Sequence, residues 1–538
     1  MAISELAGKL APKDILINVA DLISNYYTIK PDMQKESNHV SFGTSGHRGS
    51  ANDGSFNEDH ILAITQAVAE YRKDKVKNML FIGMDTHALS TPAHKTALEV
   101  LCANEITVYY AKDFGYTPTP VISYAILTHP GSDGIVVTPS HNPPSDGGFK
   151  YNSTNGGPAN EQITNQIQNR ANEILKNGLK DVKRVPLKEA LASKFLIAYD
   201  FVMPYVKDLQ NIVDMDIIKK SNIKIGADAM GGSGMAYYDA IKKYYNLNME
   251  VFHNRADFTF SFMHCDKDGK IRMDCSSPYA MEGLIEHKNS FDIAFGNDTD
   301  FDRHGIVTKY GGLLNPNHYL CVAIDYLCKH RDFKPLGVGK TLVSSSMIDR
   351  VCANNGVKVF QTPVGFKWFV DPLSNKEIFF GGEESAGASY LRKNKELWST
   401  DKDGMIMTLL SVEISAKTGL DPARYYEDLT KKFGNPVYAR IDAPATHKQK
   451  EILKNLSKED ITHKTLAGEE IQKVITIADN GAKIGGLKLV TKNGWVALRP
   501  SGTEEIYKIY AESFVDNEHL RLLQKEAQKI VEAVFFKM

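Results

Sequence analysis

The stretch MLFIGMDTHALSTPAHKTALEVLCANEITVYYAKDFGYTPTPVISYAILTHPGSDGIVVT, Met79–Thr138, decides the fold. MLFIG (Met79–Gly83) is a short apolar run closed by glycine, and ITVYY (Ile106–Tyr110) and GIVVT (Gly134–Thr138) are two more strand-like runs. Helical stretches lie between them, around Thr91–Cys102 and Thr119–Leu127. Strands alternating with helices argue for a parallel sheet covered by helices. The pattern returns at IKIGADAM (Ile223–Met230), which runs into the glycine-rich turn GGSG at 231–234, then a helix, MEVF (Met249–Phe252) and FDIAFG (Phe291–Gly296). A third round begins at TLVSSS (Thr341–Ser346) and continues through VKVFQTP (Val357–Pro363), a helix near Lys367 and IFFGGE (Ile378–Glu383). The C-terminal part differs: strands GLKLVT (486–491), GWVALRP (494–500) and EIYKIYAES (505–513), then a helix around Glu518–Phe536, read as a smaller α+β domain. Linkers are expected near 206–222, 311–318 and 433–445. The four domains then cover 1–210, 211–322, 323–436 and 437–538.

Length agrees: 538 residues suggest three to four domains at roughly 150 residues each. Lys and Arg number 64, Asp and Glu 65, for a net charge of −1, so there is no basic excess for nucleic acid and no acidic tail. The six cysteines (102, 265, 275, 321, 328 and 352) form no C-x-x-C pair, which points to reduced thiols rather than zinc or a disulfide scaffold. Glu5, Lys9, Lys13 and Asp14 interrupt any apolar leader, and the longest uncharged run, between Asp113 and Asp133, contains three prolines. The expectation is a soluble, cytoplasmic protein with no membrane span.

In open α/β sheets ligands bind beyond the carboxyl ends of the strands, and the unusual segments fall there. VVTPSHNPPSDGGFKYN (Val136–Asn152) presents Ser140 at a strand exit beside His141 and Asn142, stiffened by Pro143 and Pro144, with Lys150 following. Gly147 and Gly148 are expected to let the backbone approach a ligand, and a nearby His or Lys can move the serine proton. The nucleophile elbow G-x-S-x-G does not fit, because position 138 is Thr and 142 is Asn. In FGNDTDFDRHG (Phe295–Gly305), Asp298, Asp300 and Asp302 alternate and can converge on one hard cation, Mg²⁺ or Ca²⁺, with Arg303 directly after them. An EF-hand fails, since its sixth and twelfth positions are Arg303 and Lys309. FFGGEESAGAS (Phe379–Ser389) offers Glu383 and Ser385 to sugar hydroxyls, RPSGTEE (Arg499–Glu505) forms a plausible anion nest, and FGTSGHRG (Phe42–Gly49) has the same character. GVGKT (337–341) lacks the first glycine of a P-loop, position 334 being Lys, and no G-x-G-x-x-G follows a strand.

With FGTSGHRG, TPSHNP, GNDTDFDR, GGEESAG and RPSGTEE in this order, the whole chain resembles the α-D-phosphohexomutase superfamily, and within it the bacterial phosphoglucomutases. The resemblance implies three similar α/β domains with mixed or parallel sheets, plus a C-terminal α+β domain of the TATA-box-binding-protein-like type, around a central cleft. It implies a phosphorylated Ser140, and Mg²⁺ held by Asp298, Asp300, Asp302 and the Ser140 phosphate. Arg48 and Lys150 would flank the transferring group, with Thr44, Ser45 and Arg303 nearby. Glu383 and Ser385 would bind sugar hydroxyls, and Arg499, Ser501, Gly502 and Thr503 the non-reacting phosphate. Thr362, Gly365 and Lys367 in TPVGFKWF match a further substrate loop. Two departures stand out: Pro139 where many members have Ala, and His87 in GMDTHALS where many have Arg.

The activity implied is reversible exchange of glucose 1-phosphate and glucose 6-phosphate through phosphoserine 140, with glucose 1,6-bisphosphate as bound intermediate and activator. Lys150 is the preferred proton carrier, with His141 and His304 as rivals. Alternatives are a mutase for mannose or N-acetylglucosamine phosphate, a non-catalytic sugar-phosphate sensor, and a net phosphatase. The partners expected are small sugar phosphates, neither nucleic acid nor membrane, for a monomer or homodimer.

Overall fold

Apolar runs buried on both faces produce the first sheet. Its strands are β1 (His47–Ser50), β2 (Leu80–Met84), β3 (Val108–Ala111), β4 (Asp133–Val137), β5 (Asp146–Asn152) and β6 (Leu196–Tyr199), in the order β1-β5-β4-β2-β3-β6. β4, β2, β3 and β6 run parallel; at one edge β5 pairs antiparallel with β4, and β1 antiparallel with β5. Every residue of β2 and β4 is buried, as expected for strands covered by helices on both sides. The computed structural model describes residues 3–43, 46–501 and 505–537.

The second sheet repeats this plan with β7 (Ile225–Asp228), β8 (Met249–Phe252), β9 (Ile293–Gly296), β10 (Gly305–Thr308) and β11 (Gly312–Leu313), in the order β11-β10-β9-β7-β8. β9, β7 and β8 are parallel, and β10 and β11 again extend the edge antiparallel. The third round contains the parallel set β12 (Gly337–Thr341), β13 (Val359–Thr362) and β14 (Ile378–Gly382), with β12 in the middle. After it come β15 (Ala388–Tyr390) and the helix Gly404–Thr418. The C-terminal part holds β16 (Val437–Pro444), the short hairpin β17 (Thr465–Leu466) and β18 (Glu469–Glu470), then β19 (Lys473–Ile477), β20 (Lys483–Val490), β21 (Gly494–Pro500) and β22 (Ile506–Ser513). Its main sheet, β16-β22-β21-β20-β19, is antiparallel throughout. Leu487, Leu489, Val496, Leu498, Ile509 and Ala511 alternate onto one face, where Leu523, Ala527 and Val531 of the helix Asn517–Lys537 meet them at helical spacing.

Two corrections follow for the expected elements. The third round starts on GVGKT, not on TLVSSS: 342–346 is the turn that follows β12. None of the expected linkers is unstructured. Segment 433–445 contains β16, whose eight residues pair with β22 along its whole length. Segment 206–222 is largely helical and buries Ile212, Val213, Met215 and Ile218, and 311–318 holds β11 and the start of the helix Pro316–His330.

The chain divides into two compact units. One comprises Ala2–Asn315 with Ser385–Asp421, and the other Pro316–Glu384 with Pro422–Met538. The returning segment 385–421 is anchored in the first of these. Its helix Gly404–Thr418 packs on β9 and β10, and Asp403 Oδ1 caps it by accepting from the Met405 and Ile406 amides. The other oxygen of Asp403 accepts from Trp398 Nε1 at 2.7 Å and from the Tyr205 hydroxyl at 2.7 Å. Burial pushes the Asp403 carboxyl up to about 6. Asp403→Ala removes the cap, at a cost of about 1 kcal/mol, and strands two buried donors, each costing about 1–3 kcal/mol. Urea unfolding is therefore expected to show a loss of about 3–7 kcal/mol, with Asp403→Asn losing less because it keeps a carbonyl acceptor; equal losses in the two variants would contradict this account.

Candidate active site

Ser140 sits just past β4 with φ 58°, a left-handed conformation that a non-glycine residue adopts at a cost of about 1–3 kcal/mol. A buried network holds it there. Its amide donates to Thr138 Oγ1 at 2.8 Å, Thr138 Oγ1 donates to Asp85 Oδ2 at 2.6 Å, and Thr299 Oγ1 donates to the Ser140 carbonyl at 2.5 Å. Asp85 also accepts from Ser90 Oγ at 2.6 Å and from the His87 amide at 3.0 Å.

His87 has the most exacting position in this network. Nδ1 lies 2.8 Å from Asp85 Oδ2 and Nε2 lies 3.0 Å from the Asn142 carbonyl. Both neighbours only accept, so both ring nitrogens carry protons and the ring is an imidazolium. Burial opposes that charge, but Asp85 outweighs burial and raises the His87 pKa; reciprocally, Asp85 is held below the ordinary carboxylate range against its own burial. The chain's departure from Arg at this position thus yields a cation that fastens the serine loop.

The glycines of this loop do different work from that expected. A Cβ on Gly148 would lie 2.0 Å from the Thr138 carbonyl oxygen, and one on Gly147 would lie 2.3 Å from the Phe56 ring. They permit chain to pack against chain beneath Ser140. β5 then returns beside β4, with Lys150 paired with Val136, while Arg48 on β1 pairs with Gly148.

The aspartate loop meets Ser140 directly. Ser140 Oγ donates to Asp298 Oδ2 at 2.8 Å. One carboxylate oxygen each from Asp298, Asp300 and Asp302 lie within 4.8 Å of one another, all buried. Lys150 Nζ contacts Asp300 Oδ2 at 2.6 Å and Asp302 Oδ2 at 3.2 Å. Lys402 Nζ reaches Asp302 Oδ2 at 3.1 Å, and Thr119 Oγ1 donates to Asp300 Oδ2 at 2.6 Å. The glycine-rich turn 231–234 braces this loop from behind: Ser233 N donates to the Thr299 carbonyl at 2.7 Å, and Gly234 lies against the Phe301 ring where no Cβ would fit.

The electrostatics follow from this geometry. Burial and the neighbouring Asp300 and Asp302 push Asp298 well up. Burial acts likewise on Asp302, but Lys402, Lys150 and Arg303 overcome it and hold that carboxyl low. Lys150 is raised, since Asp300 and Asp302 outweigh its burial. Arg303 is raised because Asp274 and Asp302 outweigh its burial, whereas burial lowers Arg48. His141 Nδ1 is 3.4 Å from Ser140 Oγ, and burial together with Arg303 keeps that imidazole neutral. Burial lowers His304 to about 3.

Oδ1 of Asp300 and of Asp302 are buried with no hydrogen-bond partner. Orphaned carboxylate oxygens facing a third carboxylate fit a hard divalent cation, whose ligands are oxygens. Asp298, Asp300, Asp302 and an oxygen on Ser140 are the donor set for it.

The other unit carries the remaining expected residues. Glu383, just past β14, accepts from the Gly365 amide at 3.1 Å, and Gly365 needs its φ of 125°. Thr362 ends β13 and is buried, and Lys367 opens the helix Lys367–Ser374. Arg499, near the end of β21, is lowered by burial, and its Nε is buried with no hydrogen-bond partner. The Ser501 carbonyl accepts from Lys450 Nζ at 3.1 Å. The unit boundary passes between Glu384 and Ser385, so half-buried Ser385 belongs to the unit of Ser140. Thr44, Ser45, Gly502 and Thr503 lie outside the described residues.

Sequence reading missed Thr119, Lys402, Asp274, Asp85 and Lys450. Only Asp85 carried a local signal, as the first polar residue beyond β2. Lys402 lies 100 residues from Asp302 in an undistinguished turn, where no local pattern marks it.

Comparison with known proteins bears on this geometry. Models of the phosphoglucomutase/phosphomannomutase family match in chain order: α/β/α domain I at residues 39–178, domain II at 203–311, domain III at 315–433 and the C-terminal domain at 453–530. A phosphoglucomutase of Komagataeibacter xylinus is 54% identical over 100% of this chain and 98% of its own. Phosphoglucomutase 2 of Saccharomyces cerevisiae is 26% identical over 91% of this chain and 93% of its own. The open form of the Paramecium phosphoprotein pp63/parafusin, a phosphoglucomutase, superposes with a TM-score of 0.72 at 22% identity, covering 92% of this chain and 94% of that one, and so shares the fold. Four consecutive domain matches and a relative more than half identical from end to end leave one conclusion: the chain belongs to the phosphoglucomutase/phosphomannomutase family.

Proposed function

We propose that the protein is a phosphoglucomutase, interconverting glucose 1-phosphate and glucose 6-phosphate through a phosphorylated Ser140 and a bound glucose 1,6-bisphosphate. The observation that carries this reading is Ser140 itself: a hydroxyl locked in a left-handed turn, 2.8 Å from the first of three clustered buried aspartates. The named function of the 54% identical relative supports glucose as the sugar. The four-domain division at 1–210, 211–322, 323–436 and 437–538 and the cytoplasmic location are part of the same proposal. Among the described residues, no helix is long and apolar enough to cross a membrane.

In the forward half-reaction the phosphorus–Oγ bond of phosphoserine 140 breaks, and a bond to the free hydroxyl of the sugar phosphate forms. The bisphosphate turns, and its other phosphoryl returns to Ser140. Mg²⁺ bound by Asp298, Asp300, Asp302 and the serine phosphate would supply neutralisation of the charge on the transferring group. Arg48 and Arg303 add positive charge beside it. Lys150, kept as an ammonium by Asp300 and Asp302, is suited to giving a proton to the departing Ser140 oxygen. His141, neutral and 3.4 Å from that oxygen, is better suited than Lys150 to accepting one. Glu383 and Ser385 are assigned to sugar hydroxyls. Arg499, Ser501, Gly502 and Thr503 are assigned to the phosphate that stays bound, and Thr362, Gly365 and Lys367 to a further substrate loop. The buried, unpartnered Nε of Arg499 supports that assignment. Glucose 1,6-bisphosphate would also serve as activator by phosphorylating an empty Ser140.

The deciding experiment follows glucose 1-phosphate conversion with Mg²⁺ and catalytic glucose 1,6-bisphosphate, beside mannose 1-phosphate and N-acetylglucosamine 1-phosphate. Glucose is expected to react fastest, with intact mass showing one phosphate that Ser140→Ala lacks while losing at least ~10³-fold in kcat, the scale for removing a nucleophile. Near-full activity of Ser140→Ala would sink the mechanism, and a faster reaction with either other sugar would reassign the substrate. Stripping divalent cations with a chelator is expected to abolish turnover, and added Mg²⁺ to restore it; activity that persists after exhaustive chelation would remove the metal from the proposal.

His87 generates a third test. Its clamp needs the charged imidazolium, and a raised folded pKa means that the contribution is complete below about 6.5 and is lost only as pH climbs through the raised value. Asp85 sets the lower limit, because its depressed pKa makes its contribution vanish as pH falls through that value. His87→Ala leaves a buried carboxylate uncompensated, with an expected stability loss of about 3–5 kcal/mol. Displacement of the serine loop is expected to cost about 100-fold in kcat. An unchanged kcat in a folded His87→Ala protein would show that the loop does not need the clamp.

A further inference from the structure

A basic cavity of about 270 Å³ lies between the helix Met347–Asn355 and the C-terminal sheet, within one compact unit. It opens at the Lys492–Gly494 end of β21, while Arg499 and Ser501 stand at the other end of that strand. A seven-residue strand separates the two by about 20 Å. The cavity is therefore not the phosphate loop of the proposed substrate site.

Its lining is one-sided in charge. Arg350 comes from the helix, Lys473 from β19, Lys488 from β20 and Lys492 from the turn before β21. Asp349 is the only carboxylate among the lining residues, and Lys340 Nζ already engages it. Lys473 and Lys492 make no ion pair with any described residue. Arg350 stacks its guanidinium 3.4 Å from the centre of the Phe514 ring and donates to the Phe433 carbonyl, but has no carboxylate partner.

Lys488 is the least expected of the four. It is only 2% exposed, its ammonium lies 4.2 Å from the centre of the Trp495 ring, and its one hydrogen-bond acceptor is the Leu342 carbonyl. A buried ammonium without a counter-charge is costly. Burial, with Lys340 adding repulsion, lowers its pKa to about 7; Asp349, Glu512 and Asp479 face it too, but only partly oppose that shift. Glu512 is occupied by Ser345, the Ser346 amide and Trp495 Nε1. Asp479 is occupied by the Gln361 amide. The charge missing from this cavity is an anion.

We propose that this cavity is a second anion-binding site, taking a diphosphate group between Lys488 on its floor and Arg350, Lys473 and Lys492 at its mouth. Its volume falls just below the range of about 300–1,000 Å³ typical of small-molecule sites, which suits a compact polyanion. Two sources share this chemistry: a free diphosphate, and one that heads a larger ligand such as a nucleotide whose remainder projects outward.

The test uses isothermal titration of the full-length protein with inorganic pyrophosphate and, in a second arm, with ADP. Saturable binding is expected, and the tighter of the two identifies the source of the diphosphate. The surface double variant Lys473→Glu/Lys492→Glu is expected to lose at least 10-fold in affinity while glucose 1-phosphate turnover stays unchanged. At pH 7.5, titration in two buffers of different ionisation enthalpy is expected to show proton uptake in the wild type as the anion recharges Lys488, and none in Lys488→Met. Should Lys488→Met fail to fold, the double variant decides alone. No binding of either probe, or affinities unchanged in the double variant, would overturn the site and leave binding to the sugar-phosphate loops.

Discussion

Three carboxylates forced together in a buried loop are the constraint on which the Ser140 region depends. At 4.8 Å each like-charged pair repels by about 3.5 kcal/mol at an effective dielectric of 20. The surrounding chain is arranged to contain that repulsion. Lys150 is placed by the antiparallel return of β5, Lys402 by the segment 385–421, and Arg303 by the loop itself. Asp298 has neither lysine in contact, and its pKa is the one pushed up. The aspartate that touches Ser140 is thus the one most in need of a further positive charge, which a divalent cation held by the three aspartates would supply.

Rigidity in the serine loop follows from the same logic of buried charge. Asp85 lies at the centre, accepting from two hydroxyls, an amide and an imidazolium. Because His87 donates from both nitrogens, the loop is tied through charge-assisted bonds, stronger than their neutral counterparts. Backbone strain at Ser140 persists because this network over-determines the turn. Close contact of Gly148 with the Thr138 carbonyl closes the floor, so the Ser140 turn has little freedom to relax.

The sequence showed clearly what periodicity and local motif encode. The apolar runs of β2, β4, β7 and β9 stood out because both their faces are buried, and the alternating aspartates announced a cation site because only an extended loop brings such side chains together. β16 was overlooked although Val437, Ala439, Ile441 and Ala443 alternate as a strand should. Arg440 and Asp442 between them, and Pro444 at the end, gave the segment a linker's composition, which edge strands often share. GVGKT resembles a phosphate loop without its first glycine, but its five residues are all buried in a strand. Lys402 and Thr119 were invisible for a different reason: their meaning arises only when segments 100 and 181 residues apart meet. His87 was legible as a departure but not as a device, because its role depends on a carbonyl 55 residues away.

A net charge of −1 says nothing about local fields. Around Ser140 the carboxyl groups of Asp274, Asp298, Asp300 and Asp302 face the cations Arg48, Lys150, Arg303 and Lys402, equal in number, with Asp298 held toward its neutral form. On the proposed mechanism a divalent cation would add two positive charges and favour ionised Asp298, and a phosphoserine would add nearly two negative ones, which would leave the loaded site balanced. On that mechanism phosphoryl transfer would move negative charge from Ser140 to a sugar oxygen inside a region whose total charge does not change. A site balanced in this way has little electrostatic reason to favour either side of the transfer, which is what a freely reversible mutase requires. The cavity beside Lys488 is unbalanced by comparison, with Arg350, Lys473, Lys492 and a partly charged Lys488 against one already engaged carboxylate. That imbalance is a reason to expect a bound anion there, just as the balance around Ser140 is a reason to expect a cation and a phosphate together.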